Sequence, residues 1–292
     1  MPKEDVIALI AKNPLDFEPG TKYAYSNAGY FLLGAIIEKV AGSTYPELLN
    51  QKINSKIGLK DTYPGSGKID ITNNESFSYR LFRAWELQPE TNMSLLFGSG
   101  FLISTTADMA TFIYELFNGK LVAKESLDQM IQHNMGIDTF SYNGKRAYGH
   151  TGGIDGFGAW LAYIPDEKLA VSYGTNGKVY PVAKLIEDVF NIYYNKVFTL
   201  PSFEGISIST ELLDKYVGVY SSPDVPRKFK ITREANILYV QPGDESAVPL
   251  EATAEDQFRI ESVGIILRFD AAKKQLFLIR RNGPERVLTK EE

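Results

Sequence analysis

The sequence predicts an α+β fold in two domains: helices with an antiparallel sheet over residues 1–200, and a small all-β barrel over residues 211–292. Helical and strand-like patterns alternate as far as residue 197, and only short strand-like runs occur after residue 228. Between these regions, residues 201–210 have no helical period and contain Pro201 and Gly205. We therefore predict a linker at 201–210 that separates the two domains.

The helices of the first domain are predicted from their capping residues. A helix over 30–40 has Ser26 or Asn27 as its N-cap and Gly42 as the left-handed residue that ends it. Its apolar side chains lie around most of its circumference, which is typical of a helix buried in the core. Further helices are predicted from the capping box at 44–47, over about 105–117 with Gly119 as the stop, and from Pro181 onward.

The strands of the first domain follow one another closely and indicate an antiparallel meander. They are predicted at 145–150, 158–164 and 169–175, connected by a loop at 152–156 and a turn at 165–168. We expect the helix from Pro181 to cover one face of this sheet. In the second domain the predicted strands are 229–231, 237–240, 258–260, 265–269 and 275–279, which is typical of a small barrel or a curved sheet.

Composition and charge exclude several classes of function. The 292 residues carry 31 Lys and Arg against 36 Asp and Glu, and a net charge of −5 gives no basic field for nucleic acid. No uncharged apolar run approaches the roughly 18 residues that a membrane span needs. There is no cysteine, and His133 and His150 are the only histidines. The sequence therefore predicts no cofactor, no metal site, no nucleic-acid partner and no membrane span.

Common catalytic signatures are also absent from the sequence. No Gly-x-Gly pair has the third glycine of a dinucleotide site, and Gly67-Lys68 is followed by Ile69 instead of the hydroxyl residue of a phosphate loop. Neither His-Glu-x-x-His nor Gly-x-Ser-x-Gly occurs. The chemistry must therefore be sought in other segments.

Three ordered segments stand out: 17–34 with Tyr25-Ser-Asn27, 98–108, and 148–157 with His150-Thr-Gly152. Their order and spacing resemble those of the penicillin-recognising serine hydrolases. The branch they resemble contains class C β-lactamases, D-alanyl-D-alanine carboxypeptidases, D-aminopeptidases and related esterases. The resemblance covers about residues 5–197 and implies a β-lactamase/transpeptidase-like first domain. The barrel resembles the lipocalin-like accessory domain found after this domain in many bacterial members.

The resemblance implies catalytic roles for Tyr25, Asn27 and His150. Tyr25 would be the phenol of the Tyr-x-Asn motif, which acts as a base near neutral pH only beside cations that stabilise its phenolate. Asn27 would bond the substrate amide and the catalytic lysine. His150 would open the His-Thr-Gly version of the family's Lys-Thr-Gly motif.

The resemblance also implies a substrate-binding strand at Thr151, Gly152 and Gly153. Thr151 would offer its hydroxyl to a carboxylate or carbonyl of the substrate. The backbone N–H of Gly153 would form half of the oxyanion hole. The two glycines would let the substrate approach the strand without a side chain in the way.

Each of these residues, taken alone, also has an ordinary structural interpretation. Tyr25 alone is typical of a buried core tyrosine, Asn27 of a helix N-cap and His150 of a strand histidine. The pair Gly152–Gly153 is typical of a turn. We favour the functional interpretation because the residues occur as a set, whereas His133 has no motif around it and is predicted at the surface.

The nucleophile motif of the family, Ser-x-x-Lys, does not occur in the printed sequence, and only 24 residues precede Tyr25. We therefore expect an N-terminally truncated hydrolase domain, either a fragment of a longer enzyme or a natural truncation. Such a domain would leave a sheet edge uncovered, which favours a homo-oligomer. We recognise no signal peptide, although members of the family are often periplasmic or secreted.

The leading functional hypothesis is a serine hydrolase that acts by acyl transfer on a peptide, a β-lactam or an ester, with the nucleophile segment absent from this chain. The alternative is a non-catalytic relative that binds a ligand or a cell-wall peptide. A third hypothesis is that the barrel binds a small apolar ligand.

Overall fold

The computed structural model describes residues 2–65, 67–81, 84–178, 180–198, 206–260, 263–280 and 283–291. The helices are α1 (Lys3–Ala11), α2 (Asn27–Ala41), α3 (Tyr45–Leu49), α4 (Ser55–Ile57), α5 (Thr106–Phe117), α6 (Lys124–Gln132), α7 (Val182–Tyr193) and α8 (Thr210–Tyr216). A π-helical turn over Asn50–Asn54 joins α3 to α4, and short 3-10 turns lie at Ile71–Asn73, Met93–Leu95, Phe97–Ser99 and Pro165–Glu167. None of the helices in these ranges is long and apolar enough to span a membrane.

The strands of the first part of the chain are β1 (Tyr63–Pro64), β2 (Tyr79–Leu81), β3 (Trp85–Leu87), β4 (Leu102–Ile103), β5 (Asp138–Tyr142), β6 (Lys145–Ile154), β7 (Phe157–Ile164) and β8 (Leu169–Thr175). Those of the second part are β9 (Gly218–Ser222), β10 (Val225–Glu234), β11 (Ile237–Pro242), β12 (Val248–Pro249), β13 (Glu251–Ala254), β14 (Gln257–Ile260), β15 (Ile265–Asp270), β16 (Gln275–Arg280) and β17 (Arg286–Lys290). The chain divides into two units, residues 1–78 with 89–176 and residues 79–88 with 177–292. Most of the predicted linker, at 199–205, lies outside the described residues, and the domain limits at 200 and 211 stay predictions.

The first unit contains a four-stranded antiparallel sheet in the order β5-β6-β7-β8, so the predicted meander is confirmed. The predicted loop over 152–156 is wrong, because β6 continues to Ile154 and pairs with β7 up to Phe157. The turn is the dipeptide Asp155-Gly156, in which Asp155 has a φ of 52°. Asp155 suits the first position of a two-residue hairpin turn because such turns begin with a positive φ, which Asp tolerates, and match the twist of the strands. The strand therefore extends through the segment that carries Thr151.

Helix α2 begins and ends where its capping residues predict. The side chain of Ser26 accepts a hydrogen bond of 3.1 Å from the backbone N–H of Gly29, which identifies Ser26 as the N-cap and leaves Asn27 as the first helical residue. Gly42 ends the helix with a φ of 64°. These ends form because a hydroxyl satisfies a free N–H at one terminus and a left-handed glycine stops the helix at the other.

The prediction that this helix is buried is wrong. Phe31 and Gly34 are buried. The apolar residues spaced as i, i+3, i+4 and i+7 along α2 are instead 47–82% exposed: Leu33, Ile36, Ile37 and Val40. Apolar periodicity identifies the face of a helix that is suited to packing, but it does not show that another element packs there. The described residues pack against the opposite face of α2.

That packing brings the Phe97–Ser99 turn unusually close to α2. A Cβ atom on Gly34 would lie 2.7 Å from the Phe97 ring, and one on Gly98 would lie 2.5 Å from the carbonyl oxygen of Tyr30. The Phe97 ring meets the Phe31 ring edge to face, with 5.3 Å between centroids. Glycine is required at both positions because the backbones approach within the space of a side chain.

The second unit contains a nine-stranded antiparallel sheet in the order β12-β11-β10-β9-β17-β16-β15-β14-β13, and it is nearly closed into a barrel. All five strands predicted for this region fall within its strands. Its interior is filled by buried side chains, among them Tyr220, Leu238, Phe258, Leu267 and Leu288. The described residues therefore give no support to the hypothesis of an apolar ligand inside the barrel.

Helix α7 follows its predicted start, with Pro181 as the N-cap residue, and ends at Tyr193. Its buried residues are Ile186, Asp188 and Phe190. The helix belongs to the second unit. Whether it covers the β5–β8 sheet stays a prediction.

Candidate active site

The Tyr-x-Asn motif lies where an extended segment enters α2. Tyr25 directly precedes the N-cap Ser26, and the first turn of the helix fixes Asn27. The phenol of Tyr25 donates a hydrogen bond of 3.1 Å to Oδ1 of Asn27. Tyr25 is 57% exposed, so the interpretation of this residue as a buried core tyrosine is wrong. Its phenol is thus available to a ligand.

The structure brings His150 to the same place. The centroids of the Tyr25 and His150 rings lie 6.2 Å apart with an interplanar angle of 33°. On another side of Tyr25 the ring of Tyr30 lies 6.4 Å away. Three of the sequence-predicted residues, Tyr25, Asn27 and His150, therefore form one cluster. The other histidine, His133, is exposed at the end of α6, as predicted.

Both ring nitrogens of His150 face oxygen atoms. Nδ1 lies 2.6 Å from the carbonyl oxygen of Thr151, and Nε2 lies 4.0 Å from Oδ2 of Asp138. Asp138 is the first residue of β5 and pairs in register with Gly149 of β6. Sequence reasoning missed both β5 and Asp138, although Asn143-Gly144 between β5 and β6 is a strong hairpin signal that could have located them.

The residues Thr151, Gly152 and Gly153 are exposed on an open strand edge. Strand β5 pairs with β6 only as far as Gly149, whereas β7 pairs with β6 as far as Ile154. From His150 onward, one side of β6 therefore has no neighbouring strand within the described residues, and this edge is open to an extended ligand. Because these residues are paired in a strand, the turn interpretation of Gly152–Gly153 is wrong.

The two glycines around His150 differ in what surrounds them. A Cβ atom on Gly149 would lie 1.8 Å from the carbonyl oxygen of Leu161. A Cβ atom on Gly152 would meet only the Cβ of Ala159, at 3.7 Å. The sheet itself therefore requires glycine at 149, while the absence of a side chain at 152 leaves space above the open edge.

Tyr30 is a second residue that sequence reasoning did not select. Burial raises its pKa above the ordinary value, and the negative charges of Tyr23 and Tyr25 when ionised, and of Asp138, raise it further. The backbone N–H of Gly136 donates to the Tyr30 oxygen and acts in the opposite direction. Tyr30 thus stays a neutral phenol that packs beside Tyr25.

The far end of β6 is held by contacts from its hairpin turn. The carboxylate of Asp155 accepts hydrogen bonds from the backbone N–H of Thr91 at 3.1 Å and from the Thr91 hydroxyl at 2.6 Å. The N–H of Gly156 donates to the hydroxyl of Ser78 at 3.0 Å. These contacts fix the turn that follows Gly153.

The third ordered segment, 98–108, makes structural contacts. Gly98 allows the close approach to α2, and Asp108 is buried in the first turn of α5. Oδ2 of Asp108 accepts hydrogen bonds from the backbone N–H groups of Lys60 and Asp61, at 3.1 and 2.8 Å, and from the Thr62 hydroxyl at 2.8 Å. The carboxylate therefore ties the 60–62 segment to α5.

The fold and the ordered motifs agree with a family model described as Beta-lactamase, which matches residues 1–190. The chain therefore belongs to the beta-lactamase family, a family of hydrolases related to penicillin-binding proteins and carboxypeptidases. It is 23% identical to penicillin-binding protein 4* of Bacillus subtilis (strain 168), over 97% of this chain and 70% of that protein. It is 24% identical to the N-acetylmuramyl-L-alanine amidase of the same organism, over 70% of this chain and 55% of that protein.

Among solved structures, an octameric penicillin-binding protein homologue from Pyrococcus abyssi shares the fold. Its TM-score is 0.57 at 23% identity, with 98% of this chain and 70% of that chain covered. The chain spans about half the length of several curated relatives that it matches, with 55% and 45% of two of them covered. The β-lactamase/transpeptidase-like fold is confirmed, whereas the lipocalin-like character of the barrel stays a prediction.

Proposed function

We propose that this chain carries the proton-transfer and substrate-binding part of a serine hydrolase that acts by acyl transfer on a peptide, a β-lactam or an ester. The observation that supports this most directly is the meeting of Tyr25, Asn27 and His150 beside an open strand edge. A phenol bonded to an amide and flanked by an imidazole is suited to transfer a proton to or from a bound substrate. In this proposal Tyr25 transfers the proton, Asn27 binds the substrate amide and His150 anchors the substrate.

The open edge of β6 would bind the substrate. Thr151 would offer its hydroxyl, and the backbone N–H of Gly153 would donate to the oxyanion that forms in the transition state. A preorganised donor of this kind typically contributes about 3 kcal/mol to transition-state stabilisation. The space above Gly152 supports this role, because the protein itself does not need glycine there.

The nucleophile of this proposal would be a serine in a Ser-x-x-Lys motif. The printed sequence contains no such motif, so the serine and lysine would have to lie outside it. The first experiment is therefore to determine the coding sequence upstream of residue 1. Two proteins are then expressed: the longer chain that includes any upstream segment, and the chain of the printed sequence alone. Both are incubated with a fluorophosphonate and with a penicillin, and intact mass is measured.

We expect one adduct per molecule of the longer chain, none on the printed chain, and none after the serine of the upstream motif is changed to alanine. A labelled printed chain would contradict the assignment of the nucleophile. An upstream sequence without Ser-x-x-Lys would contradict the catalytic proposal and favour the non-catalytic alternative, a relative that binds a cell-wall peptide along the open edge of β6.

The roles of Tyr25 and His150 are separated by substitution in the active longer chain. Tyr25→Phe should lower kcat by about 10²–10⁴-fold, because proton transfer by a positioned group contributes that much. His150→Ala should mainly raise KM, because it removes a substrate anchor. Tyr193→Phe, an exposed tyrosine of the second unit, is the matched control and should change neither constant. Equal and small effects at Tyr25 and His150 would refute the assignment.

We also propose that the chain self-associates. The relative from Pyrococcus abyssi is described as octameric. In the present chain β8 pairs only with β7 among the described strands, so its outer edge is a candidate interface. Light scattering after size-exclusion chromatography tests this, and a monomer at all concentrations would contradict it.

A further inference from the structure

The rings around Tyr25 present aromatic faces to a ligand. The Tyr25 ring has the His150 ring 6.2 Å away and the Tyr30 ring 6.4 Å away, with interplanar angles of 33° and 31°. Tyr25 is 57% exposed, and Tyr23, two residues before it, is 71% exposed. The face of a tyrosine ring carries the negative part of its quadrupole and attracts cations. An ammonium group placed over the exposed part of Tyr25 would therefore be stabilised.

A carboxylate lies beside these rings. Asp138 of β5 is held next to His150 by its register with Gly149, and its Oδ2 lies 4.0 Å from Nε2 of His150. Burial raises the pKa of Tyr30 and the charge of Asp138 raises it further, so the carboxylate is within electrostatic reach of that phenol. The Asp138 side chain is 48% exposed, and no Lys or Arg pairs with it among the described residues. Its negative charge is therefore available to a ligand.

The segments that surround the rings carry no compensating basic side chain. Residues 23–30, 136–140 and 148–154 contain no Lys or Arg. Lys22 precedes Tyr23 and is exposed, and the imidazole of His150 is the remaining group that can become a cation. While that imidazole is neutral, the surface combines aromatic faces with one negative charge. Such a surface suits a cationic ligand and disfavours an anionic one.

We propose that Tyr25, Tyr30 and Asp138 form a subsite for an organic ammonium group. The carboxylate of Asp138 would accept a hydrogen bond from the ammonium group, and the ring faces would contact the carbon atoms that carry it. The ligand is a primary amine on an apolar or aromatic body, and it binds without a covalent step. The subsite goes beyond the proposed function, because it holds its ligand whether or not acyl transfer follows.

The experiment uses the chain of the printed sequence and three probes that share a phenylethyl body. Phenethylammonium carries a cation, hydrocinnamamide a neutral amide and hydrocinnamate an anion. Binding is followed by NMR on the ring signals of tyrosine and histidine, at about pH 8, where an ordinary imidazole is uncharged. The variants are Asp138→Asn, Tyr25→Leu and Tyr25→Phe. The control for net charge is Asp166→Asn, in the exposed turn after β7.

Phenethylammonium should bind about five- to tenfold more tightly than hydrocinnamamide, with shifts at Tyr25 and His150, and hydrocinnamate should bind most weakly. Asp138→Asn should weaken the ammonium probe by about two- to fivefold and leave the amide probe unchanged, whereas Asp166→Asn should change neither. Tyr25→Leu should also weaken the ammonium probe by about two- to fivefold, because it removes a ring face. Tyr25→Phe keeps that face and should not.

Equal binding of the three probes, or tighter binding of the anion, would overturn the inference. So would ring signals that no probe shifts, or an equal loss of ammonium affinity in Asp138→Asn and Asp166→Asn. Far-UV circular dichroism of each variant checks that the fold is kept. Because no acylation is measured, a negative result leaves the labelling experiment to decide the proposed function. Conversely, a longer chain that fails to acylate would leave the ammonium subsite standing.

Discussion

The sheet requires glycine at position 149 of β6 but not at position 152, and alanine substitutions at the two positions test this difference. The new Cβ at position 149 would lie 1.8 Å from the Leu161 oxygen and 2.8 Å from the Cα of Ala162. These are backbone atoms of β7 and cannot rotate away, so the two strands must move apart. We expect Gly149→Ala to lower the free energy of unfolding by about 3 kcal/mol, the upper end of the usual cost of overpacking.

Gly152→Ala should have the opposite sign. Its Cβ would meet only Ala159, at an ordinary contact distance of 3.7 Å. Alanine loses less backbone entropy than glycine when a strand forms, so we expect a gain of about 0.5 kcal/mol. The predicted difference in the free energy of unfolding between the two variants is therefore about 3.5 kcal/mol. Both variants carry the same glycine-to-alanine change, at positions three residues apart on one strand.

The assay is equilibrium unfolding in urea followed by tryptophan fluorescence. Trp160 lies on β7 in register with Thr151, so its emission reports the strand pair that the substitutions perturb. Equal destabilisation by the two alanines, or no effect of Gly149→Ala, would refute the reasoning. If Gly152 also serves substrate approach, its alanine variant should keep the fold and still lose affinity for a peptide ligand.

Two further predictions concern buried groups. Asp108→Ala should lower the free energy of unfolding by about 3 kcal/mol, because it leaves three hydrogen-bond donors of residues 60–62 without an acceptor. The control is alanine at the exposed Asp128, which should cost less than about 1 kcal/mol in the same urea assay. Burial and the nearby Tyr216 raise the pKa of Tyr220 to about 12. An unfolded tyrosine loses its proton near pH 10, so the contribution of Tyr220 to stability should be constant below that pH and fall by up to about 2.7 kcal/mol as the pH rises to 12. Tyr220→Phe should remove this part of the alkaline loss, and an unchanged pH profile would contradict the prediction.

Local signals in the sequence predicted the limits of elements well. Ser26 and Gly42 located the ends of α2 because capping depends on a few neighbouring residues. The exposure of Ile36 and Val40 could not be read from the same segment, because burial depends on which distant residues pack against it. The loop predicted at 152–156 is wrong for a local reason: the Asp155-Gly156 dipeptide closes the hairpin, whereas Gly152 and Gly153 are paired in the strand.

The candidate site was predicted in part. Tyr25, Asn27 and His150 were selected as a set, and the structure places them together. Asp138 carries no motif of its own, and its proximity to His150 arises from the register of β5 against β6, which is a tertiary property. Only the Asn143-Gly144 turn gave a local indication of that pairing.

The turn at Asp155-Gly156 has a consequence for how this fold tolerates changes in length. It binds Thr91 on one side and Ser78 on the other, so both ends of the segment 79–90 are attached to one dipeptide. Doubling the length of a closed loop costs only about 0.6 kcal/mol in chain entropy. Lengthening the segment between these two anchors should therefore leave β6 in place.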